Sequence, residues 1–176
     1  HIEKDDYSLA EESTREIITD SIGNLIVASY KGVRIFNSQT QTGFDLPFSK
    51  KINPSRYSDK LISESVYAIT WQDNRYLWIG HEGKGLQKYD VKKKEFRLYN
   101  LRKDFEVDMP LAYVTDILVD KNNNVWASTY KGLFLKKAKL DTFTHFSLGQ
   151  AEANELRSIW EHPEGGIFVR SEERRV

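Results

Sequence analysis

The sequence has no cysteine, which rules out a disulfide framework and a thiolate metal site and fits an exported bacterial domain and a cytosolic one equally well. It has no run of 18 apolar residues, and its first ten residues, HIEKDDYSLA, do not read as a signal peptide. The residues present therefore predict neither a membrane contact nor an export signal of their own. Excess charge is missing too: 26 Lys and Arg stand against 26 Asp and Glu. That balance argues against nucleic acid or an anionic membrane held by bulk electrostatics. No glycine-rich phosphate loop, no G-x-S-x-G elbow and no H-E-x-x-H helix occurs. The four histidines, His1, His81, His145 and His162, have no ligand spacing, so no catalytic residue, cofactor or metal site is expected.

What the sequence does contain is repetition. Tyr30-Lys31-Gly32-Val33 recurs 100 residues later as Tyr130-Lys131-Gly132-Leu133, inside a unit running from Tyr113 to Lys137. A third copy runs from Tyr67 to Asp90, with one extra residue before its glycine, and a fourth from Leu156 to Ser171. The equivalent residues Ile17, Ile69, Ile117 and Ile159 are 52, 48 and 42 residues apart. Periods of roughly 40 to 50 residues belong to blade-type β repeats and to helical arrays, and the pattern inside a unit decides between them. Val114, Ile117 and Val119 precede the turn chemistry of Asp120 to Asn124, Val125-Trp126-Ala127 follows, Gly132 interrupts, and Phe143 to Phe146 alternates with period two. Each unit thus reads as four short strands rich in β-branched and aromatic residues. A β-sandwich also has turns at such intervals but does not predict recurrence near 50 residues, so an all-β fold of four-stranded antiparallel propeller blades is expected.

The units run approximately over 13–47, 66–100, 113–147 and, incomplete, 156–176, all within one propeller domain. Tyr7 to Ile17 resembles Phe146 to Ile159, so the chain opens on the tail of one unit and closes inside another. A blade needs neighbours on both sides, which leads us to expect a piece of a larger propeller whose remaining blades are partners. Pro47 to Ser65, with two of the four prolines, reads as a solvated connector or a binding loop. Lys92-Lys93-Lys94-Glu95 reads as an exposed turn. Asp104, Glu106 and Asp108, around Phe105 between Leu101 and Leu111, read as solvated acids, with a bound cation as the other reading. Asp20, Asp73 and Asp120 recur after the first strand, where an aspartate hydrogen-bonds backbone two residues on; that makes them turn residues.

Two known repeat boxes do not fit. The sialidase turn box requires five residues from Asp to Trp, whereas Asp120 to Trp126 is six, and the Trp-Asp pair of WD40 repeats is absent. A third fits. Tyr76-Leu77-Trp78-Ile79-Gly80-His81, then Gly85-Leu86-Gln87-Lys88-Tyr89-Asp90, then Phe96-Arg97-Leu98-Tyr99, resembles the two-component regulator propeller repeat. Asp20 to Ile26 and Asn124 to Thr129 are weaker copies, with Ile26 and Phe168 departing from the Trp of the pattern. The resemblance implies the periplasmic sensor region of a Bacteroides-type hybrid two-component protein, anchored in the inner membrane and carrying histidine kinase and regulator parts outside this chain. It also implies an oligosaccharide ligand and a homodimer in the parent protein. Ligand contacts would then come from loops at one end of the propeller. The connection after the second strand makes Tyr30, Lys31, His81, Glu82, Tyr130 and Lys131 the candidates, beside the plainer reading of tyrosines packed over glycine turns and solvated lysines. A propeller scaffold for protein–protein contacts, and part of a propeller lyase or lactonase, are the alternatives.

Overall fold

A computed structural model describes residues 13–48, 57–99, 101, 113–148 and 155–171. The first sheet runs in chain order through β1 (Thr14–Thr19), β2 (Leu25–Ser29), β3 (Gly32–Asn37) and β4 (Thr42–Asp45). The second holds β6 (Val66–Gln72), β7 (Tyr76–His81), β8 (Gly85–Asp90) and β9 (Glu95–Tyr99), with β5 (Tyr57–Ser58) added beyond β9. The third is β10 (Val114–Val119), β11 (Val125–Thr129), β12 (Gly132–Lys136) and β13 (Thr144–Phe146), and the fourth pairs β14 (Leu156–Glu161) with β15 (Ile167–Ser171). All pairings within the sheets are antiparallel. The first strands of neighbouring sheets, β1, β6, β10 and β14, adjoin one another, so the sheets are blades of a β-propeller.

Period-two alternation assigns each side chain to one blade boundary. In β7, Leu77 and Ile79 join the core between the first two blades with Ile26, Val33, Ile69 and Phe96. Trp78, between them in sequence, points the other way, into the core shared with Val114, Ile117, Val125 and Phe134 of the third blade. Leu133, Leu156 and Ile159 form a smaller cluster between the third and fourth. Gly80 is small for a reason: a Cβ there would come within 2.7 Å of Val114.

Each blade opens with the same irregularity. The register slips once near the start of β1, β6, β10 and β14, leaving Arg15, Tyr67, Thr115 and Arg157 as the extra residues. Next to the slip, Glu16 Oε2 accepts the Ile69 amide at 2.6 Å and Asp116 Oδ2 accepts the Ile159 amide at 2.8 Å. Two side chains thereby satisfy backbone donors of a following blade's first strand.

In the first and third blades one aspartate holds the turn after the first strand. Asp20 Oδ1 accepts the amides of Ile22 and Asn24 at 3.0 and 2.8 Å, and Asp120 Oδ1 accepts those of Asn122 and Asn124 at 2.9 and 2.8 Å. Asp120 Oδ2 also takes the Trp126 indole N–H at 2.9 Å. In the second blade the equivalent residue is Gln72, three after Ile69, and its Oε1 takes the Trp78 N–H at 2.8 Å. Asp73 does not hold that position. It lies one residue further on with φ 54°, and its carboxylate accepts from Asn123 of the third blade at 2.7 Å.

The stretch Pro47 to Ser65 is more than a connector. β5 pairs through Tyr57 and Ser58 with Arg97 and Phe96, and Leu61 is fully buried beneath Phe48, with which it forms a parallel bridge. Lys92 and Lys93 sit in a turn capped by Asp90 Oδ1 at 3.0 and 3.2 Å. Asp104, Glu106 and Asp108 lie outside the described residues.

Candidate functional site

The connection from second to third strand is built alike in the first and third blades. Ser29 Oγ accepts the Lys31 amide and Thr129 Oγ1 the Lys131 amide, both at 3.0 Å, and Gly32 and Gly132 follow at φ 111° and 110°. That left-handed glycine turns the chain back after only two residues, which lifts Tyr30 and Tyr130 onto the end of the blade. The second blade spends three residues there, Glu82-Gly83-Lys84, so Glu82 occupies the corresponding place. The ends of β2, β7, β11 and β15 stand beside the starts of β1, β6, β10 and β14 in turn, because those pairs are antiparallel.

The two sets of residues meet in one strip. The ring centroids of Tyr30 and Tyr67 are 6.0 Å apart, those of Tyr67 and Tyr113 5.7 Å, and those of Tyr113 and Tyr130 5.0 Å. The first two contacts are edge-to-face and the third is tilted, arrangements that aromatic quadrupoles favour. Arginines close both ends. The Arg15 guanidinium carbon lies 4.3 Å from the Tyr30 ring centre and 4.4 Å from that of Tyr67, and the Arg157 carbon lies 4.5 Å from that of Tyr130. Arg15 Nη2 donates to the Tyr67 hydroxyl at 3.3 Å and Arg157 Nη1 to the Tyr130 hydroxyl.

Glu82 is the carboxylate of the strip. Its Oε1 accepts from the Tyr113 hydroxyl at 2.8 Å and its Oε2 from Ser65 Oγ at 2.5 Å. The bond to Glu82 is the main reason the Tyr113 hydroxyl titrates above its ordinary range. The strip therefore presents four phenol rings, two guanidinium groups and one oriented carboxylate across four blades. It can offer apolar ring faces and edges together with donors and an acceptor fixed in place.

Of the residues singled out from the sequence, Tyr30, Glu82 and Tyr130 come together here. Lys31 and Lys131 are exposed beside the strip. His81 does not join it. It is the last residue of β7, wholly buried, with Nε2 2.9 Å from Gln87 Oε1, so of the pair His81-Glu82 only the half-buried Glu82 reaches the strip. Burial pushes the imidazole down to about 4, against the hydrogen bond to Gln87 and the nearby backbone of Ser65 and Ser63. Arg15, Tyr67, Tyr113 and Arg157 are strip members that the repeat alignment did not single out. Two other histidines are held within their own blades: His145 stacks on Phe134 at 4.6 Å with Nε2 2.7 Å from the Lys131 carbonyl, and His162 Nδ1 accepts the Glu164 amide at 3.2 Å in a turn. Among the described residues, no group of three or more His, Asp or Glu side chains is placed to hold a metal ion. Nor is any helix among them long and apolar enough to cross a membrane.

Residues 108–131 match the family model described as two component regulator propeller. None of the curated proteins compared with the chain matches it. Among solved structures, it is similar to the extracellular domain described as that of a hybrid two component system of B. thetaiotaomicron, with 18% identity and a TM-score of 0.72 over 96% of this chain and 23% of that one. It is also similar to the extracellular domain described as that of a one component system of the same organism, with 16% identity and a TM-score of 0.67 over 94% and 22%. Virginiamycin B lyase of Staphylococcus aureus shares the fold at 14% identity, with a TM-score of 0.63 over 88% and 47%. The chain thus spans under a quarter of the first two neighbours and about half of the third.

Proposed function

We propose that this chain is a ligand-sensing segment of an extracytoplasmic propeller, and that the strip from Arg15 to Arg157 holds an oligosaccharide. The observation that carries the reading is the unbroken run Tyr30, Tyr67, Tyr113, Tyr130, flanked by cations and anchored on Glu82. A sugar ring has apolar C–H faces and a rim of hydroxyls, and phenol rings beside fixed donors and acceptors complement both. Tyr30, Glu82 and Tyr130 are ligand contacts, Lys31 and Lys131 line the rim, and His81 supports the blade from inside. The repeat match and the two extracellular neighbours support a two-component sensor as the parent protein, periplasmic over this region. In that parent the remaining blades complete the propeller and a homodimer passes the signal to a histidine kinase. Signalling then requires the ligand to bind one arrangement of the dimer better than another, since equal affinity for both shifts nothing.

The test is thermal unfolding of the full-length extracytoplasmic protein against a panel of oligosaccharides, with and without calcium. A bound ligand at 100 times its Kd adds about 2.7 kcal/mol, so a selective, saturable rise in the midpoint is expected. Tyr67→Ala and Tyr113→Ala, both at half-buried positions, should keep the fold and abolish the rise. A folded protein that responds to no glycan would move the assignment to a scaffold for protein contacts.

A further inference from the structure

A second cluster shares no residue with the tyrosine strip. Lys88 in β8 lies directly opposite Arg97 in β9, and by alternation both point with Leu86 and Tyr99 toward the third blade. Lys136 of β12 points back from that blade beside Phe134. Three cations from two blades thus converge on one boundary. Like charges directly opposite across a sheet destabilise it, so the arrangement carries a cost.

One carboxylate offsets part of the charge. Asp141 pairs with Arg97 and accepts the Tyr99 hydroxyl at 3.1 Å. Burial raises the Asp141 carboxyl, but Arg97, Tyr99 and Lys88 outweigh it and hold the group below its usual range. Lys136 is 6% exposed, and among the described residues its Nζ donates to the Lys137 carbonyl at a long 3.5 Å. Lys88 Nζ rests 4.5 Å from the Tyr76 ring centre and 5.6 Å from that of Trp78. Neither lysine has a carboxylate within ion-pair distance among the described residues. Burial first, with the neighbouring cations adding to it, pushes both ammonium groups below the ordinary lysine range. The nearby Asp90 is engaged by Arg75 at 2.8 Å.

We propose that this cluster at the boundary of the second and third blades binds a small tetrahedral oxyanion, phosphate or sulfate, either free or as an ester on a larger molecule. Among the described residues, Lys88, Arg97 and Lys136 outnumber Asp141 at this boundary, and an added dianion offsets that excess. Lys88 and Lys136 supply ammonium donors to its oxygens while Asp141 keeps Arg97 in place. The aromatic floor of Tyr76 and Trp78 fixes Lys88 from below.

The experiment compares the unfolding midpoint of the full-length protein in sodium phosphate, sodium sulfate and sodium chloride at equal ionic strength. A saturable rise with phosphate or sulfate, absent with chloride, is expected. The double variant Lys88→Met with Lys136→Met should lose that rise while its midpoint without added oxyanion stays level or increases, since two costly charges are gone. Lys88→Gln alone, at a half-exposed position where folding is not at stake, should weaken phosphate binding about tenfold or more, as loss of one charge-assisted contact implies. A sulfated disaccharide set against its unsulfated counterpart separates the sources: a response to the sulfated sugar only, lost in the variants, assigns the ester. If all three salts and both sugars act alike, or if the variants keep the saturable response, the site does not exist.

Discussion

At the scale of single residues, the two most perturbed groups act in opposite directions with pH. His81 is buried and neutral, its pKa lowered to about 4 against 6.5 for the unfolded chain. The native state therefore binds fewer protons between those values, and the contribution of His81 is intact above pH 6.5 and falls away as pH drops toward 4. That gap corresponds to about 3 kcal/mol. Urea unfolding at pH 7.5 and 4.5 should show a large loss in the native chain and a smaller one in His81→Gln; equal losses would assign the acid sensitivity elsewhere. Asp120 is the other residue with several dependants. Burial raises its carboxyl, but the Trp126 indole, the Asn124 side chain and the amides of Asn124 and Asn122 together hold it low. Asp120→Ala strands these donors, and a cost of about 2–4 kcal/mol is expected from equilibrium unfolding.

At the scale of strands and turns, the blades are joined by carboxylates that reach across. Glu16 is raised from 4.5 to about 7 by burial, partly offset by the Ile69 amide, with the charge of Asp116 adding to the rise. Here the native state binds more protons than the unfolded chain, so stability falls as pH rises from about 4.5 to about 7. Glu16→Gln should flatten that part of the profile and make the protein more stable than the native chain above pH 7, by up to about 3 kcal/mol in chemical denaturation. Gly80→Ala should act through the same boundary. Its Cβ would press on Val114, and overpacking of that kind costs about 1–3 kcal/mol. A calorimetric midpoint unchanged from the native chain would show that β10 can move aside. Much of this was legible in the sequence, because the repeat gave the strands and their order, and Asp20 and Asp120 announced their turns by position. What was not legible has specific causes. Gln72 takes the equivalent place in the second blade and accepts the Trp78 indole N–H, while an aspartate one residue later drew the assignment to itself. β5 has two residues in a stretch of Pro, Ser and Lys with no periodicity. The strip draws on three different repeat positions. Tyr30, Glu82 and Tyr130 follow the second strand, Arg15, Tyr67 and Arg157 are the extra residues of the register slip, and Tyr113 is equivalent to Ser65. Alignment on the isoleucines therefore lines up one of these sets and hides the others. His81 adjoins Glu82 in sequence, but the pleat sends it inward.

At the scale of the whole molecule, the blades are coupled through the two large cores and more weakly through the small cluster behind the third blade. A row of blades touching only its neighbours behaves as a chain of nearest-neighbour terms, so damage spreads by one boundary at a time. Trp78 belongs by sequence to the second blade but is buried in the core of the third, in contact with Tyr99 and Phe143 at 5.3 and 6.1 Å between ring centres. Trp78→Phe should lower amide exchange protection in β10 to β12 as well as in β6 to β8, and leave β1 to β3 closer to native. The last pair, β14 and β15, carries Trp160 and Phe168 stacked at 5.4 Å with each 45% exposed or more, and should exchange fastest in the isolated chain. Loss of protection confined to the second blade would mean that each blade is stable by itself. Loss spread evenly over all four would mean that the chain unfolds as one unit, and in either case the boundary packing around Trp78 would not be what couples the second blade to the third.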